Sequence, residues 1–324
     1  TYLPSISEKL WCHFFNSFFI IRHRRVVCNG TINIIPMISK SKDKIAYLLL
    51  SPALLLMLIS GVIPMSMILY FSVHDSFFGN NFFWVGMNWF QQVLSSSDFY
   101  GAFFRSLGFS ALIISIEIPL GIYIALRLPQ KGFLSNFYIV LISLPLLMPS
   151  IVVGHIWKFL TLPKIGLISS SIDYLGANYD MNNPIIVWIT LALMDSWHWT
   201  SLVILLCFAG LKNIPEVYYQ AALVDGARGW SIFKNVQLPK LKLVLLIAIL
   251  LRFIDSFIIY TEAYVLTRGG PGVSTTFLSH ELVQTATIQF DLGEGGAMSV
   301  IYSLVVLCVS WVFFSLIVRR NNEQ

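Results

Sequence analysis

Six long apolar runs separated by shorter polar segments set the pattern of this 324-residue chain. They cover residues 45–71, 107–126, 137–160, 185–209, 243–264 and 297–318. Each supplies the roughly 20 apolar residues that a helix needs to cross a hydrocarbon core of about 30 Å. Barrel strands would alternate over segments of about ten residues, and these runs do not. The pattern predicts an all-α integral membrane protein with six transmembrane helices. Composition points the same way, with 56% hydrophobic residues, 11% charged residues and a mean hydropathy of +0.75. A soluble domain carries about 25% charged residues, so this chain has too few to give itself a water-compatible surface.

The charged residues are unevenly divided between the two sides of these runs. Lys40, Lys42 and Lys44 precede the first run, and Arg127 and Lys131 fall between the second and third. Lys212, Arg228, Lys234, Lys240 and Lys242 fall between the fourth and fifth, and Arg319 and Arg320 follow the sixth. The other side carries mainly acids, among them Asp75, Asp98, Asp173, Asp180 and Glu281. Lysine and arginine collect on the cytoplasmic side of membrane proteins, so both termini are expected in the cytoplasm. The formal net charge of +5 is this bias and calls for no nucleic-acid partner. Cys12, Cys28, Cys207 and Cys308 lack any C-x-x-C spacing, which argues against a disulfide framework or a metal site. The run Gly269, Gly270, Pro271, Gly272 lacks the Lys-Ser or Lys-Thr of a phosphate-binding loop, and no G-x-x-x-x-G-K-[ST] occurs elsewhere. The chain is therefore expected to bind no ATP or other cofactor itself.

Residues 1–36 fit this pattern poorly. The apolar run at 10–21 is short for a span, and Arg22, His23, Arg24 and Arg25 follow it. A signal peptide places its basic cluster before the apolar stretch. Met37 opens MISKSKDKIAYLLL, and translation is expected to begin there, leaving 1–36 as an extension. The alternative is an amphipathic segment lying on the membrane surface.

The polar stretch EVYYQAALVDGARGWSIFKNVQLP, residues 216–239, lies between the fourth and fifth runs. Asn213 offers an N-cap, Pro215 suits a first helical turn and Glu216 complements its positive end. A short helix through Leu223 is predicted, then a break at Asp225 and Gly226, where glycine accepts the left-handed conformation that closes helices. A second short helix over 227–236 is predicted to stop ahead of Pro239. Two such helices form a knob with an apolar side (Val217, Ala221, Phe233) that fits a groove on a soluble partner. The plainer alternative is a solvated interhelical loop.

The residues Gln220, Ala221, Ala222, Asp225, Gly226, Ala227, Phe233, Leu238 and Pro239 read Q-A-A-x-x-D-G-A, then Phe, then L-P. This closely resembles the EAA loop of permease subunits in binding-protein-dependent ABC importers. WVGMNWFQQVL (84–94) and LTRGGPGVSTTFLS (266–279) are similar to segments of carbohydrate-type permeases in that family. The resemblance implies a type I importer fold with cytoplasmic termini. It also implies docking of a separate ATPase on the loop at 213–239 and alternating access powered by ATP hydrolysis in trans. Its partners would be a second homologous permease, two copies of the ATPase and an extracytoplasmic solute-binding protein, all at a lipid bilayer. On this reading 37–104 holds the first helix and a periplasmic segment, 105–318 the importer domain, and 319–324 a cytoplasmic tail. Gln220 stands where the family usually has Glu, which removes an ion pair with the ATPase.

Polar residues inside the apolar runs are the other candidates. Arg252 and Asp255 lie three apart, on one helical face. Each costs about 2.5–3.5 kcal/mol at the centre of an inserting helix, so the pair should turn inward, as a structural pair or as part of a pathway. Asp195, Trp197, His198 and Trp199 sit together in MDSWHWTS. Aromatic faces with hydrogen-bonding neighbours suit a sugar or polyol, and a helix-packing cluster is the alternative. Glu117, two residues before Pro119, is expected to pair with another helix. MDSWHWTSLV (194–203), YYQAALVDGA (218–227) and LLRFIDSFIIYTEAYVLTRGGPG (250–272) most resemble permeases for glycerol or related polyols. Disaccharide and glycerol-3-phosphate uptake stay open. Arg252 is the only clear base deep within the runs, Lys158 lying two residues from the end of the third, and a phosphorylated solute would want several. The rival mechanism is ion-coupled secondary transport through Glu117, Asp195, His198 and Asp255, which leaves the EAA-like loop unexplained. A membrane enzyme finds no paired carboxylates or histidine-ligand spacing, and a pure anchor needs no polar residues within its spans.

Overall fold

The structure is a computed structural model that describes residues 40–77 and 81–321. The extension at 1–36, Met37 and the last residues of the tail lie outside the described residues. The chain divides into two compact units, residues 1–68 with 314–324, and residues 69–313.

The described part of the first unit is chiefly one helical rod. It comprises α1 (Lys40–Met57), a π-helical turn (Leu58–Val62) and the start of α2 (Ile63–Phe71). From Tyr47 onward its apolar side chains are exposed, Leu49 at 75% and Met57 at 70%. A helix that is apolar all round belongs in lipid or against other membrane helices. Pro52 cannot donate to the carbonyl of Leu48, and the Ser51 hydroxyl does so instead at 2.8 Å. Such side-chain replacement is how membrane helices tolerate proline.

The second unit begins with a two-stranded antiparallel ribbon, β1 (His74–Phe77) and β2 (Asn81–Trp84), in the register His74↔Trp84. This corrects the strictly all-α expectation. Aromatic and β-branched residues favour extended structure, and the short ribbon is built from NFFW against HDSF. Helices α3 (Asn88–Ser95) and α4 (Ser97–Arg127) follow. Then come α5 (Phe133–Ser143), α6 (Ser150–Leu160), α7 (Leu167–Tyr174) and α8 (Pro184–Lys212). The chain continues through α9 (Glu216–Val224), α10 (Trp230–Ile232), α11 (Leu238–Phe257), α12 (Thr261–Thr267), α13 (Leu278–Val283) and α14 (Leu292–Asn321).

Among the described residues, four helices are long and apolar enough to cross a membrane: Tyr47–Phe71, Ser97–Arg127, Pro184–Lys212 and Leu292–Leu316. Trp230–Phe257 with Thr261–Thr267, bent by 44°, makes a fifth where the pair is counted as one span. The third apolar run is not one helix as expected. It breaks into α5 and α6 around a 3-10 turn at Pro145–Leu147. Pro149 has no N–H to continue a helix, and it forces Met148 into an extended conformation with ψ 135°. The fifth run breaks after Phe257, where side chains from elsewhere take up the freed carbonyls. Tyr302 donates to the Phe257 oxygen at 3.2 Å and Ser279 to the Ile259 oxygen at 2.5 Å.

Helix α8 is the most buried of these spans, and α4 and α11 pack on it. One cluster joins Phe109, Val153, Leu191, Met194, Ala263 and Phe277; a second joins Ala125, Val203, Cys207, Leu211, Leu241 and Leu245. The segment after α12 is folded down on the start of the bundle. Arg105 Nε donates to the Thr276 carbonyl at 2.8 Å, and Trp188 Nε1 to the Ser274 carbonyl at 2.9 Å.

Close approach of helices depends on small residues. A Cβ on Gly121 would stand 2.5 Å from Val203 Cγ1, and one on Gly210 would stand 2.7 Å from Leu241 Cδ2. Gly108 of the same α4 meets nothing within 4 Å. Overpacking of this kind costs about 1–3 kcal/mol. Gly121→Val should therefore lower the unfolding temperature of the purified protein in detergent, while Gly108→Ala should leave it unchanged or slightly raised.

Candidate functional site

Four charged side chains from three helices meet at the centre of the bundle. Helix α4 supplies Glu117, α8 supplies Asp195, and α11 supplies Arg252 and Asp255. Arg252 is fully buried. Its Nε donates to Glu117 Oε2 at 2.5 Å and its Nη2 to Glu117 Oε1 at 3.1 Å. Nη2 also donates to Asp195 Oδ2, and Nη1 to Asp255 Oδ2, each at 2.5 Å. The Trp199 ring centre lies 5.0 Å from the guanidinium carbon. A rigid, planar guanidinium is the cation suited to serve several carboxylates at once. Withdrawing these ions from water costs several kcal/mol each, an expense that only close, hydrogen-bonded pairing offsets.

Three carboxylates share one guanidinium, so the formal charge of the cluster is −2 with all of them ionised. Glu117 is sealed off and Asp195 is only 3% exposed, whereas the Asp255 side chain is 41% exposed. It faces a cavity of about 240 Å³ that Ser150, Asp195, Trp199, Tyr260 and Glu262 also line. The bend between α11 and α12 opens this space, because Ile258, Ile259, Tyr260 and Thr261 form one wall. Behind it His198 is buried, with Nε2 at 3.2 Å from the Met148 carbonyl and Nδ1 at 3.6 Å from Glu262 Oε1.

The MDSWHWTS stretch divides accordingly. Asp195 and Trp199, four apart on one helical face, reach the cavity, and His198 supports Glu262. Trp197 lies on another face, 40% exposed, with its ring 6.4 Å from Trp157. Ser150, Tyr260 and Glu262 were absent from the sequence candidates. Glu262 had a legible signal, as an acid within the fifth apolar run. Ser150 and Tyr260 reach the cavity only through the two helix breaks.

The segment at 213–239 forms a second candidate site. Helix α9 closes with a double hydrogen bond, Ala227 N–H to the Ala222 carbonyl at 2.9 Å and Gly226 N–H to the Leu223 carbonyl at 3.0 Å. Gly226 has φ +75°, the left-handed conformation this closure requires. Gln220, Ala221 and Asp225 are exposed, Ala222 is buried and Ala227 is half-buried. Val217, Leu223, Val224 and Trp230 are exposed apolar side chains, and Phe233 packs against Trp230 at 5.0 Å between ring centres.

Two local expectations are corrected. Asn213 does not cap α9; it closes α8, with its N–H on the Ala209 carbonyl, and α9 starts after Pro215. The second helix does not stop ahead of Pro239. It runs from α10 through a π-helical turn at Phe233–Gln237 directly into α11. Leu238 and Pro239 open α11 directly after the π-helical turn.

The sequence profile of the family described as "Binding-protein-dependent transport system inner membrane component" matches residues 117–321, and the chain belongs to that family. It is thus a multi-pass inner-membrane protein with the fold of type I ABC importer permeases. The trehalose/maltose transport system permease protein MalF of Thermococcus litoralis is 32% identical over 289 residues, covering 87% of this chain and 96% of that protein. The sn-glycerol-3-phosphate transport system permease protein UgpA of Pectobacterium atrosepticum is 29% identical over 284 residues, covering 86% and 95%. Among solved structures, a bacterial ABC transporter for import of the acidic polysaccharide alginate matches with a TM-score of 0.70 at 18% identity. That match covers 86% of this chain and 96% of the other. At that identity the likeness concerns the fold.

Removing one member of a buried ion cluster costs about 3–5 kcal/mol, because the others are left unpaired. Arg252→Met should therefore sharply reduce the folded yield and the unfolding temperature in detergent. Adding Glu117→Leu and Asp195→Asn to it should restore much of the loss. Full stability of the single variant would show that the cluster does not hold the bundle.

Proposed function

We propose that this chain is the translocating permease of an ATP-driven, binding-protein-dependent importer for an uncharged, hydroxyl-rich solute, a sugar or small polyol. The observation that carries this reading is the central cavity. It combines the aromatic rings of Trp199 and Tyr260 with the carboxylates of Asp195, Asp255 and Glu262. Rings cover apolar C–H faces, and carboxylates accept hydrogen bonds from hydroxyl groups. Arg252, the base beside this cavity, is already engaged by three carboxylates. A phosphorylated solute would meet like charge there, which costs several kcal/mol.

The volume of about 240 Å³ is small beside the roughly 300–1,000 Å³ of most ligand pockets. It suits a polyol or one sugar ring, and a disaccharide would extend onto the second permease. Glycerol is the candidate that sequence resemblance favours; the relatives' names are those of trehalose, maltose and sn-glycerol-3-phosphate systems.

In this reading the chain crosses the membrane six times, with α5 and α6 together making one broken span. Both termini and the 213–239 segment face the cytoplasm, in keeping with the lysine and arginine bias. The exposed Val217, Leu223 and Val224 dock an ATPase subunit, with Gln220 giving a neutral contact. A solute-binding protein delivers solute from outside. Closure of two ATPases on ATP drives the paired permeases between inward- and outward-facing states. Ion-coupled transport is the second reading, and it leaves the exposed apolar knob without a use.

The test is ATP hydrolysis by the reconstituted complex of this chain with its cognate ATPase, second permease and binding protein. Glycerol, trehalose or maltose should stimulate hydrolysis, and glycerol-3-phosphate should not. Stimulation by glycerol-3-phosphate alone would overturn the neutral-solute reading. Failure to assemble with any ATPase would return the chain to ion-coupled transport. Asp225→Lys or Gly226→Pro should abolish co-purification with the ATPase without affecting membrane insertion. Unchanged co-purification would remove the docking role.

A further inference from the structure

A groove of about 880 Å³ separates the later turns of α4 from the coupling segment. Ile118, Ile122 and Leu126 line one wall, and Trp230 and Phe233 line the other. At its end stands Arg127, the last residue of α4. From Ile118 to Arg127 the helix rises about 13.5 Å at 1.5 Å per residue. One leaflet of a hydrocarbon core about 30 Å thick is about 15 Å deep. The groove therefore matches the depth of one leaflet in length and carries a positive charge at one end.

We infer that this groove binds an anionic phospholipid, its acyl chain lying along α4 and its phosphate on Arg127. Charge complementarity carries the choice of occupant. Arg127 lies 4.8 Å from the centre of the Tyr123 ring, and among the described residues no carboxylate forms an ion pair with it. Arg228 and Lys234, exposed on the facing segment, add positive charge beside the groove residues Gly229 and Phe233. Basic pockets between membrane helices on the cytoplasmic side recognise anionic headgroups in this way, and Trp230 and Tyr219 are side chains of the kind that gathers at membrane interfaces. The lipid so placed fills the space between α4 and the coupling segment. It would brace that segment from the membrane side while its exposed face stays free. The site stands on this geometry whether or not the segment docks an ATPase.

The experiment uses the full chain in its assembled complex, placed in phosphatidylcholine nanodiscs. Trace phosphatidylglycerol or phosphatidylcholine carrying a photoactivatable acyl chain is added, and adducts are mapped by peptide mass spectrometry. Adducts should concentrate on peptides holding Ile118 to Leu126 and Trp230. The phosphatidylglycerol probe should exceed the phosphatidylcholine probe about fivefold, as one basic residue at the membrane surface implies. Arg127→Gln should remove that preference and Arg127→Lys should keep it. Labelling at Leu304 and Leu307 of α14 should stay constant as the reference for an intact fold. Equal labelling of the groove by the two probes would overturn the inference, as would an Arg127→Gln variant that keeps the preference. A groove labelled only after the complex is dissociated would also overturn it, and would assign the groove to the second permease.

Discussion

The bundle depends on one buried cation. Arg252 is fully buried and hydrogen-bonds to Glu117 on α4, Asp195 on α8 and Asp255 on its own helix. In an apolar interior no member of this set is stable alone, so the helices that carry them are held in one register. The same electrostatics shape the centre of the bundle. Two carboxylates are consumed in sealing the guanidinium, and Asp255 is left partly free on a cavity with Trp199 and Tyr260. One interaction thus fixes the helices and makes the polar surface between them.

The 213–239 segment and this cavity share a single element. From Trp230 the chain is helical through the π turn and α11 to Phe257, carrying Arg252 and Asp255 close to the bend that forms the cavity wall. A stiff helix with one end in an exposed apolar knob and the other beside a polar cavity gives a direct route between them. Movement imposed at Trp230 would displace Arg252, and the carboxylates on α4 and α8 would have to follow or exchange partners. That is the kind of discrete, two-state repacking on which rigid-body transitions rely. The proposed alternating access therefore has a physical path through residues of this chain alone.

Much of this was legible in the sequence, for identifiable reasons. Apolar runs located the four long apolar helices, since length and hydropathy depend on local residues only. The closure of α9 at Gly226 was readable because glycine at that position has one main conformational use. The inward turn of Arg252 followed from the cost of a charge in lipid, and Glu117 was expected to pair across helices, as it does. Breaks were less legible. Pro145 and Pro149 sit in a continuous apolar run, and hydropathy passes over the backbone constraint they impose. The bend after Phe257 has no local signal, because its freed carbonyls are taken up by Tyr302 and Ser279 from distant sequence. Ser150 and Tyr260 enter the cavity through those breaks, and so they escaped a reading based on helical faces. Trp197 was grouped with its neighbours by proximity in sequence, and helix geometry turns it elsewhere.

The central claim is that the cavity beside Arg252 is the place where solute is held during translocation. The most direct measurement is the solute concentration that half-saturates ATP hydrolysis in the reconstituted complex, compared between the natural chain and Asp255→Asn. Asp255 is the partly exposed member of the cluster, and asparagine keeps a side-chain oxygen for Arg252. Glu117 and Asp195 still pair with that cation, so the substitution should leave basal hydrolysis and assembly intact. The account predicts that half-saturation rises by about tenfold, the equivalent of one good hydrogen bond to a charged group lost. Unchanged half-saturation with a normally assembled complex would contradict it and move the solute site elsewhere, onto the second permease.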